Sequence, residues 1–417
     1  MAAMPESVYD LIVVGGGAAG MMAAITAARR DKRVLLLEKL KQPGAKLKAT
    51  GGGRCNVTNT LPNETFIEHF GRNGRFMHDA LAAFDHTALI AFYKELGVAT
   101  HAPDGLRVFP TTHNSQSILS ALLKELERLH VTLLCNTHVS ALLYDDTKVT
   151  GVLCTHQRFH ASAVIIATGG LGYPQLGAEG DGYALAASIG HTISALYPAM
   201  TPLHVKERWV AECRADTIAK ATLRIDLPKA KTLRATGDLI FTKNGIRGPV
   251  VLDFAREITP FLQDHDEVPL LVNLSRGMNE EQIRMHIKQS LQHNPHQNVL
   301  ALLGTLLPES LAQVLCNQSG AQCQSSFNKM PGNVRDALVK LLAWTPLSVI
   351  GHDGFDKAMI TRGGVSLKEI NPKTMQSKKR KGLYFCGEVM DLDGPCGGYN
   401  LQWSSSSGYV AGQTNEL

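Results

Sequence analysis

The chain has 417 residues, enough for two or three domains with a large core. It is 44% hydrophobic and 19% charged, which excludes a disordered chain, and no apolar run is long enough to span a membrane. The net charge is +5, and its location says more than its size. Between Thr201 and Gly248, Lys206, Arg208, Arg214, Lys220, Arg224, Lys229, Lys231, Arg234, Lys243 and Arg247 outnumber Glu207, Glu212, Asp216, Asp226 and Asp238 by the whole excess. A solvated basic face and a surface for an anionic partner both fit that distribution.

Glu6 and Asp10 stand where a signal peptide would carry a basic region. The eight cysteines form no Cys-x-x-Cys pair, and no histidine cluster sits at metal spacing, so no metal is expected. Scattered thiols without a secretion signal predict reduced cysteines in the cytoplasm.

The apolar run Leu11–Val14 reads as a strand buried on both faces. It breaks into Gly15-x-Gly17-x-x-Gly20, and an Ala-rich helix follows over 18–30. Gly15 allows the tight turn, Gly17 lets a pyrophosphate approach the backbone, and Gly20 lets helix and strand pack closely. The helix N-terminus then offers free N–H groups to the phosphates. A second strand, Val34–Leu37, ends at Glu38, eighteen residues after Gly20, where an acid accepts from a ribose diol.

Thr50-Gly51-Gly52-Gly53-Arg54-Cys55-Asn56 comes next. Three adjacent glycines are costly to order and suggest backbone pressed against a ligand. Apolar spacing from Met77 to Leu96 predicts one helix closed by Gly97. Leu106–Pro110 reads as extended and 115–129 as an amphipathic helix. Strands are expected at 131–135, 139–144, 149–155 and 163–167, the last three as a meander. The final one stops in Ala167-Thr168-Gly169-Gly170, a second glycine-rich strand end. A helix over 184–189 follows, and His191 reads as a helix-end residue.

From Ile193 the pattern shifts to short alternating pieces interrupted by proline, with strands at 238–242 and 270–274. Between 279 and 342 it becomes helical. Glycine-rich α/β character returns at 360–365. A strand, 383–386, ends at Gly387-Glu388, and Asp391 and Gly397-Gly398-Tyr399-Asn400-Leu401-Gln402 lead into a helix over 400–412. The run Lys378-Lys379-Arg380-Lys381 reads as a solvated turn.

The N-terminal fingerprint, the Ala167–Gly170 strand end and the Gly387-Glu388…Asp391 segment together resemble two-dinucleotide-binding-domain flavoproteins of the glutathione-reductase type. Gly51–Asn56 and Gly397–Gln402 narrow the resemblance to the BaiN/RdsA family of NAD(P)/FAD-dependent oxidoreductases, the aminoacetone-oxidase type. It covers nearly the whole chain, including Gly245-Ile246-Arg247-Gly248-Pro249 and Thr374-Met375-Gln376-Ser377-Lys378. Arg247 and Cys396 depart from it, standing where Ser and Thr are more usual.

The resemblance implies an α/β fold. A Rossmann-like FAD-binding domain would use 1–190 and 360–417, interrupted by a small β-barrel over 191–275 and helices over 276–359. Gly15, Gly17, Ala18, Ala19 and Gly20 would hold the pyrophosphate of a non-covalent FAD, and Glu38 the adenosine ribose. Lys39, Lys46, Lys48, Gly53, Arg54, Cys55, Asn56, Val139, Ala167, Thr168, Gly169, Gly387, Glu388, Asp391, Gly398, Tyr399, Asn400 and Leu401 would line the rest.

Three activities fall within the resemblance: NAD(P)H-linked reduction of an activated C=C bond in a small molecule, dihydrouridine synthesis on ribosomal RNA, and oxidation of a small amine such as aminoacetone with release of hydrogen peroxide. The first is preferred. Only one dinucleotide fingerprint is present, so a nicotinamide donor would reach the flavin through the substrate cleft. Reduction of a C=C bond also needs a proton donor, for which Tyr399, Cys55 and Cys396 are the candidates. The separation of Cys386 and Cys396 argues against a redox-active disulfide.

Overall fold

A computed structural model describes residues 8–155, 157–228 and 230–413; Glu6 and Lys229, named above, lie outside them. The chain divides into two compact units, Met1–Leu196 with Ile360–Leu417, and Tyr197–Met359.

The first unit is built on a sheet of β1 (Val8–Val14), β2 (Val34–Leu37), β3 (Thr132–Leu134), β4 (Val139–Tyr144), β5 (Val149–Cys154) and β6 (Arg158–Ile166), joined by the C-terminal strand Leu383–Phe385. β1 lies between β2 and β6, parallel to both, with Val14 opposite Leu37 and Ile166. β3 extends the parallel set beyond β2. Strands flanked on both edges and covered on both faces need continuous apolar sequence, and Leu11–Val14 and Val34–Leu37 are all buried. The first residues of β6 pair antiparallel with β5, which pairs with β4, giving the expected meander. The last residues of β6 pair in parallel with Leu383–Phe385. Both ends of the chain therefore complete one sheet.

Helix α1 (Ala18–Ala28) is buried almost throughout, which its Ala, Met and Ile content permits. The last helix, Tyr399–Gly412, packs along it backbone to backbone. A Cβ at Gly408 would lie 2.4 Å from the Ala19 carbonyl oxygen, and one at Gly412 2.4 Å from that of Ala23. Four serines are tolerated here because each finds an internal acceptor. Ser404, Ser405 and Ser407 donate to carbonyls one turn back, and Ser406 donates to the Phe84 carbonyl.

The single helix expected across 76–96 is two, His78–Ala83 and His86–Glu95. Phe84 is extended, and the Asp85 carboxylate accepts from the Ala88 N–H at 2.9 Å, so it caps a fresh start inside the apolar pattern.

The second unit is a closed barrel. Its strands run, in order around it, Leu203–Val205, Gly245–Arg247, Arg234–Phe241, Thr217–Ile225, Val268–Asn273 and Thr345–His352. Helices Pro249–Ile258, Glu280–His293, Glu309–Ser319 and Gly332–Ala343 share one apolar core with it, including Leu223, Phe254, Ile283, Leu315 and Leu342. Among the described residues no helix is long and apolar enough to cross a membrane.

Candidate functional site

The three fingerprint glycines do different work. A Cβ at Gly15 (φ +106°) would lie 2.6 Å from the Ala167 carbonyl oxygen, and one at Gly20 only 1.9 Å from that of Gly15. At Gly17 a Cβ would meet nothing of the protein within 4 Å. The first two glycines therefore serve chain-to-chain packing, and the third leaves open space at the start of α1. No side chain caps that helix and no acid occupies its first turn, so its leading N–H groups remain available. The Glu38 carboxylate is fixed at the end of β2, accepting from the N–H groups of Gly16 (2.9 Å) and Leu40 (2.8 Å).

A short helix, Ala45–Ala49, leads into Gly51, Gly52 and Gly53, all left-handed at φ 59°, 65° and 85°. No protein atom would meet a Cβ at Gly52 or Gly53. The Arg54 guanidinium lies over the Phe109 ring, 5.4 Å from its centroid. With its amide oriented to satisfy its neighbours, Asn56 donates to the Thr58 carbonyl and accepts from the Gly398 N–H at 3.0 Å. Asn59 donates to the Gly397 carbonyl at 3.0 Å. A Cβ at Gly398 (φ +87°) would lie 2.4 Å from the Thr58 carbonyl. The glycine loop is thus tied to the start of the last helix, whose first turn also has no side-chain cap and no acid.

Other expected residues join this arrangement. Lys46 Nζ lies 2.9 Å from Glu388 Oε2, and Glu388 also accepts from the Thr361 N–H. Gly387 (φ +77°) approaches Ala19, where a Cβ would lie 2.8 Å from the alanine methyl, and its N–H donates to Ser407 Oγ. Ala167 donates to the Val14 carbonyl. Thr168 Oγ1 is buried without a hydrogen-bond partner among the described residues, and Gly169 beside it faces open space. Asp391 accepts from Ser194 Oγ at 2.8 Å. Asn400 holds the preceding loop by exchanging two hydrogen bonds with the Gly394 backbone, and Leu401 is half-buried.

Four further expected residues are engaged elsewhere, exposed or buried in the core. Lys39 is spent on Glu179 and Asp181: burial works against its charge, but the two carboxylates raise its pKa above the ordinary value. The Lys48 side chain is exposed. Val139 is buried at the start of β4, opposite Cys154. Cys55 is fully buried; burial pushes its thiol up to about 11, against the lowering effect of Thr50. A thiol sealed in the core is closed to solvent and stays protonated near neutrality. The Tyr399 ring packs among Phe66, His69 and Phe70, with centroids 4.8 Å from both Phe66 and His69. Cys396 is half-exposed in the loop before the last helix. None of the eight cysteines is in a disulfide.

Sequence reasoning missed Thr361, which positions Glu388, and His69, which lies against Tyr399. Nothing in their local sequence marks them. His191 is more than a helix end. It is buried between Glu369 (3.1 Å) and Ser377 (2.8 Å), and burial lowers its pKa against the raising effect of Glu369. The basic turn after Ser377 is tied down, with Lys379 paired to Glu369 and Arg380 over Tyr144. Among the described residues no group of His, Cys, Asp or Glu could hold a metal.

The model of the HI0933-like protein Rossmann domain matches residues 9–414. The chain belongs to that family. It is a BaiN-like flavoprotein oxidoreductase with an FAD-binding Rossmann domain. It is 33% identical to a 3-dehydro-bile acid delta(4,6)-reductase of Clostridium scindens over 92% of each chain. It is 31% identical to a ribosomal RNA dihydrouridine synthase of Escherichia coli over 97% of each. The flavocytochrome c3 fumarate reductase shares the fold at 18% identity, with a TM-score of 0.53 over 99% of this chain and 78% of that one. So does the 3-ketosteroid-delta4-(5alpha)-dehydrogenase of Rhodococcus jostii, at 15% identity and a TM-score of 0.50 over 99% of each.

Proposed function

We propose that this protein reduces an activated C=C bond of a small molecule, with NAD(P)H as the electron source. The observation that carries the reading is the 33% identity, over 92% of both chains, to a 3-dehydro-bile acid delta(4,6)-reductase. The residues fit the cofactor. Gly17 and the open first turn of α1 suit a pyrophosphate, and Glu38 a ribose diol. The unfilled space at Gly52, Gly53 and Gly169, beside the orphaned Thr168 hydroxyl, suits the flavin end. FAD held by these residues would supply hydride transfer between a nicotinamide and the double bond, with a proton completing the reduction.

The chain's own part is binding, orientation and electrostatics. Lys46 and Glu388 clamp the glycine loop to the C-terminal segment, and Asn56 and Asn59 fix the start of the last helix. The uncapped N–H groups there favour developing negative charge. Tyr399 serves as a packing face, and Cys396 is left as the cysteine able to meet a substrate.

Anaerobic titration with NADH and NADPH, followed by reoxidation with a dienone or with oxygen, tests the reading. Bleaching by a nicotinamide and rapid reoxidation by the dienone are expected. Rapid peroxide formation with aminoacetone and no dienone turnover would replace this reading with the oxidase.

Dihydrouridine synthesis on ribosomal RNA is a second reading. Beyond the Escherichia coli relative, it has support from the barrel, where Arg224 stands directly opposite Arg234 and lies 4.6 Å over the Trp344 ring. Like charges placed opposite each other on a sheet favour an anionic neighbour. Mapping dihydrouridine in ribosomal RNA after gene deletion, and again with Arg214, Lys220, Arg224 and Lys231 changed to Glu, separates the two readings. Unchanged dihydrouridine in the deletion strain removes the RNA substrate.

A further inference from the structure

Helices Glu280–His293 and Gly332–Ala343, with the turn at Phe327, line a half-open cavity of about 630 Å³ within the second unit. Its volume lies in the range of small-molecule sites, about 300–1,000 Å³. Part of the lining is apolar. Ile287 and Phe327 belong to the core of the unit, and Leu291 follows Ile287 one turn along the same helix face.

The rim is cationic. Arg284 is already neutralised by Asp336 at 2.9 Å. Lys288, exposed, and Arg335, half-buried, also line the cavity, and neither side chain has a hydrogen-bond or ion-pair partner among the described residues. The first turn of Gly332–Ala343 adds to the positive field: no side chain caps it and no acid occupies it.

We infer that this cavity is a binding site for an amphipathic monocarboxylate, distinct in chemistry from the flavin site. A carboxylate would lie between Lys288 and Arg335, and its hydrocarbon body against Ile287, Leu291 and Phe327. A small polyanion such as phosphate leaves the apolar part of the lining unused. An amphipathic cation meets two unpaired positive charges.

The test uses decanoate, with decylamine as the opposite-charge probe, on the FAD-loaded protein by isothermal titration calorimetry below micellar concentrations. One decanoate per chain is expected, with no visible flavin spectral change and no decylamine binding. Lys288→Glu combined with Arg335→Glu should weaken decanoate at least tenfold. Lys340→Glu, on the same helix but outside the cavity, should leave it unchanged. Absence of saturable binding would overturn the inference. So would equal binding of decylamine, or decanoate binding that survives the double charge reversal. Decanoate that perturbs the flavin spectrum and binds both variants alike occupies the flavin cleft, which also overturns it. None of these outcomes bears on the reductase reading, which is tested by flavin turnover.

Discussion

Lys46 and Glu388 are 342 positions apart in sequence, yet their side chains meet at 2.9 Å in a half-buried ion pair. The contact joins the glycine loop near the N-terminus to the segment leading into the last helix. Breaking one side leaves a partly desolvated charge behind, at about 1–3 kcal/mol. Lys46→Met or Glu388→Gln should each weaken FAD binding about tenfold, measured by flavin fluorescence during equilibrium dialysis. The double variant should be little worse than either single one, because the pair acts as a unit. Additive losses would mean that the two residues act separately.

Gly17 and Gly20 should behave in opposite ways. Gly17 has ordinary helical-entry angles (φ −79°), and a Cβ there meets only open space. Gly17→Ala should leave the thermal stability of the apoprotein within about 0.5 kcal/mol, since it relieves backbone entropy without a clash. It should still cost at least about tenfold in FAD affinity. Gly20→Ala drives a methyl into the Gly15 carbonyl and should destabilise the apoprotein by about 3 kcal/mol. Equal stability of the two apoproteins in a urea titration would refute this division of labour.

Cys55 should be inert. Its thiol, held at about 11, stays protonated through the working pH range and is closed to solvent. Iodoacetamide at pH 8 should leave Cys55 unlabelled in the native protein, as read by peptide mass spectrometry. Cys55→Ser should keep turnover within about threefold while losing about 1–2 kcal/mol of stability. A hundredfold loss of turnover at unchanged FAD content would return Cys55 to the chemistry.

Stability should fall in mild acid because of His191. Burial lowers its folded pKa below the unfolded value, so the unfolded chain binds this proton more readily. The site's contribution is complete above about pH 6.5, the unfolded value, and is lost as pH drops through the lower folded one. Glu369 titrates in a separate window. Burial opposes its charge, but Lys379 and Thr192 hold its carboxyl at about 2, so its contribution is lost only below about pH 4.5, between the unfolded and folded values. The melting temperature should therefore fall between pH 7 and pH 5, and His191→Gln should flatten that fall. An unchanged slope would assign the acid sensitivity elsewhere.

Features set by local chemistry were legible in the sequence. Gly15, Gly17 and Gly20 carry their roles in their spacing, and the Asp145 turn marks the meander between β4 and β5. Features set by long-range packing were not. Nothing near Lys39 reveals Glu179 and Asp181, and the polar run around Cys55 conceals that its thiol points into the core. In the barrel, a register shift between Ile218 and Ala221, with Lys220 at φ +53°, breaks the alternation that would have announced Thr217–Ile225. Pro346 reads against the strand Thr345–His352, although its ring faces outward. The Met77–Leu96 pattern stayed helical across the Asp85 break because both helices bury residues of the same apolar run.

The parallel strand Leu383–Phe385 and the helix that covers α1 are made only after the whole second unit, Tyr197–Met359. Until they emerge, β6 has an open edge along its final residues, and the face of α1 around Ala19 and Ala23 has no cover. Gly387, Glu388, Asp391 and Gly398 are also missing at that stage. Retention of the yellow cofactor therefore reports that this strand and helix have been added to the first unit. A ribosome that stops after Met359 releases a chain whose first sheet is unfinished and whose helix α1 is exposed to proteases.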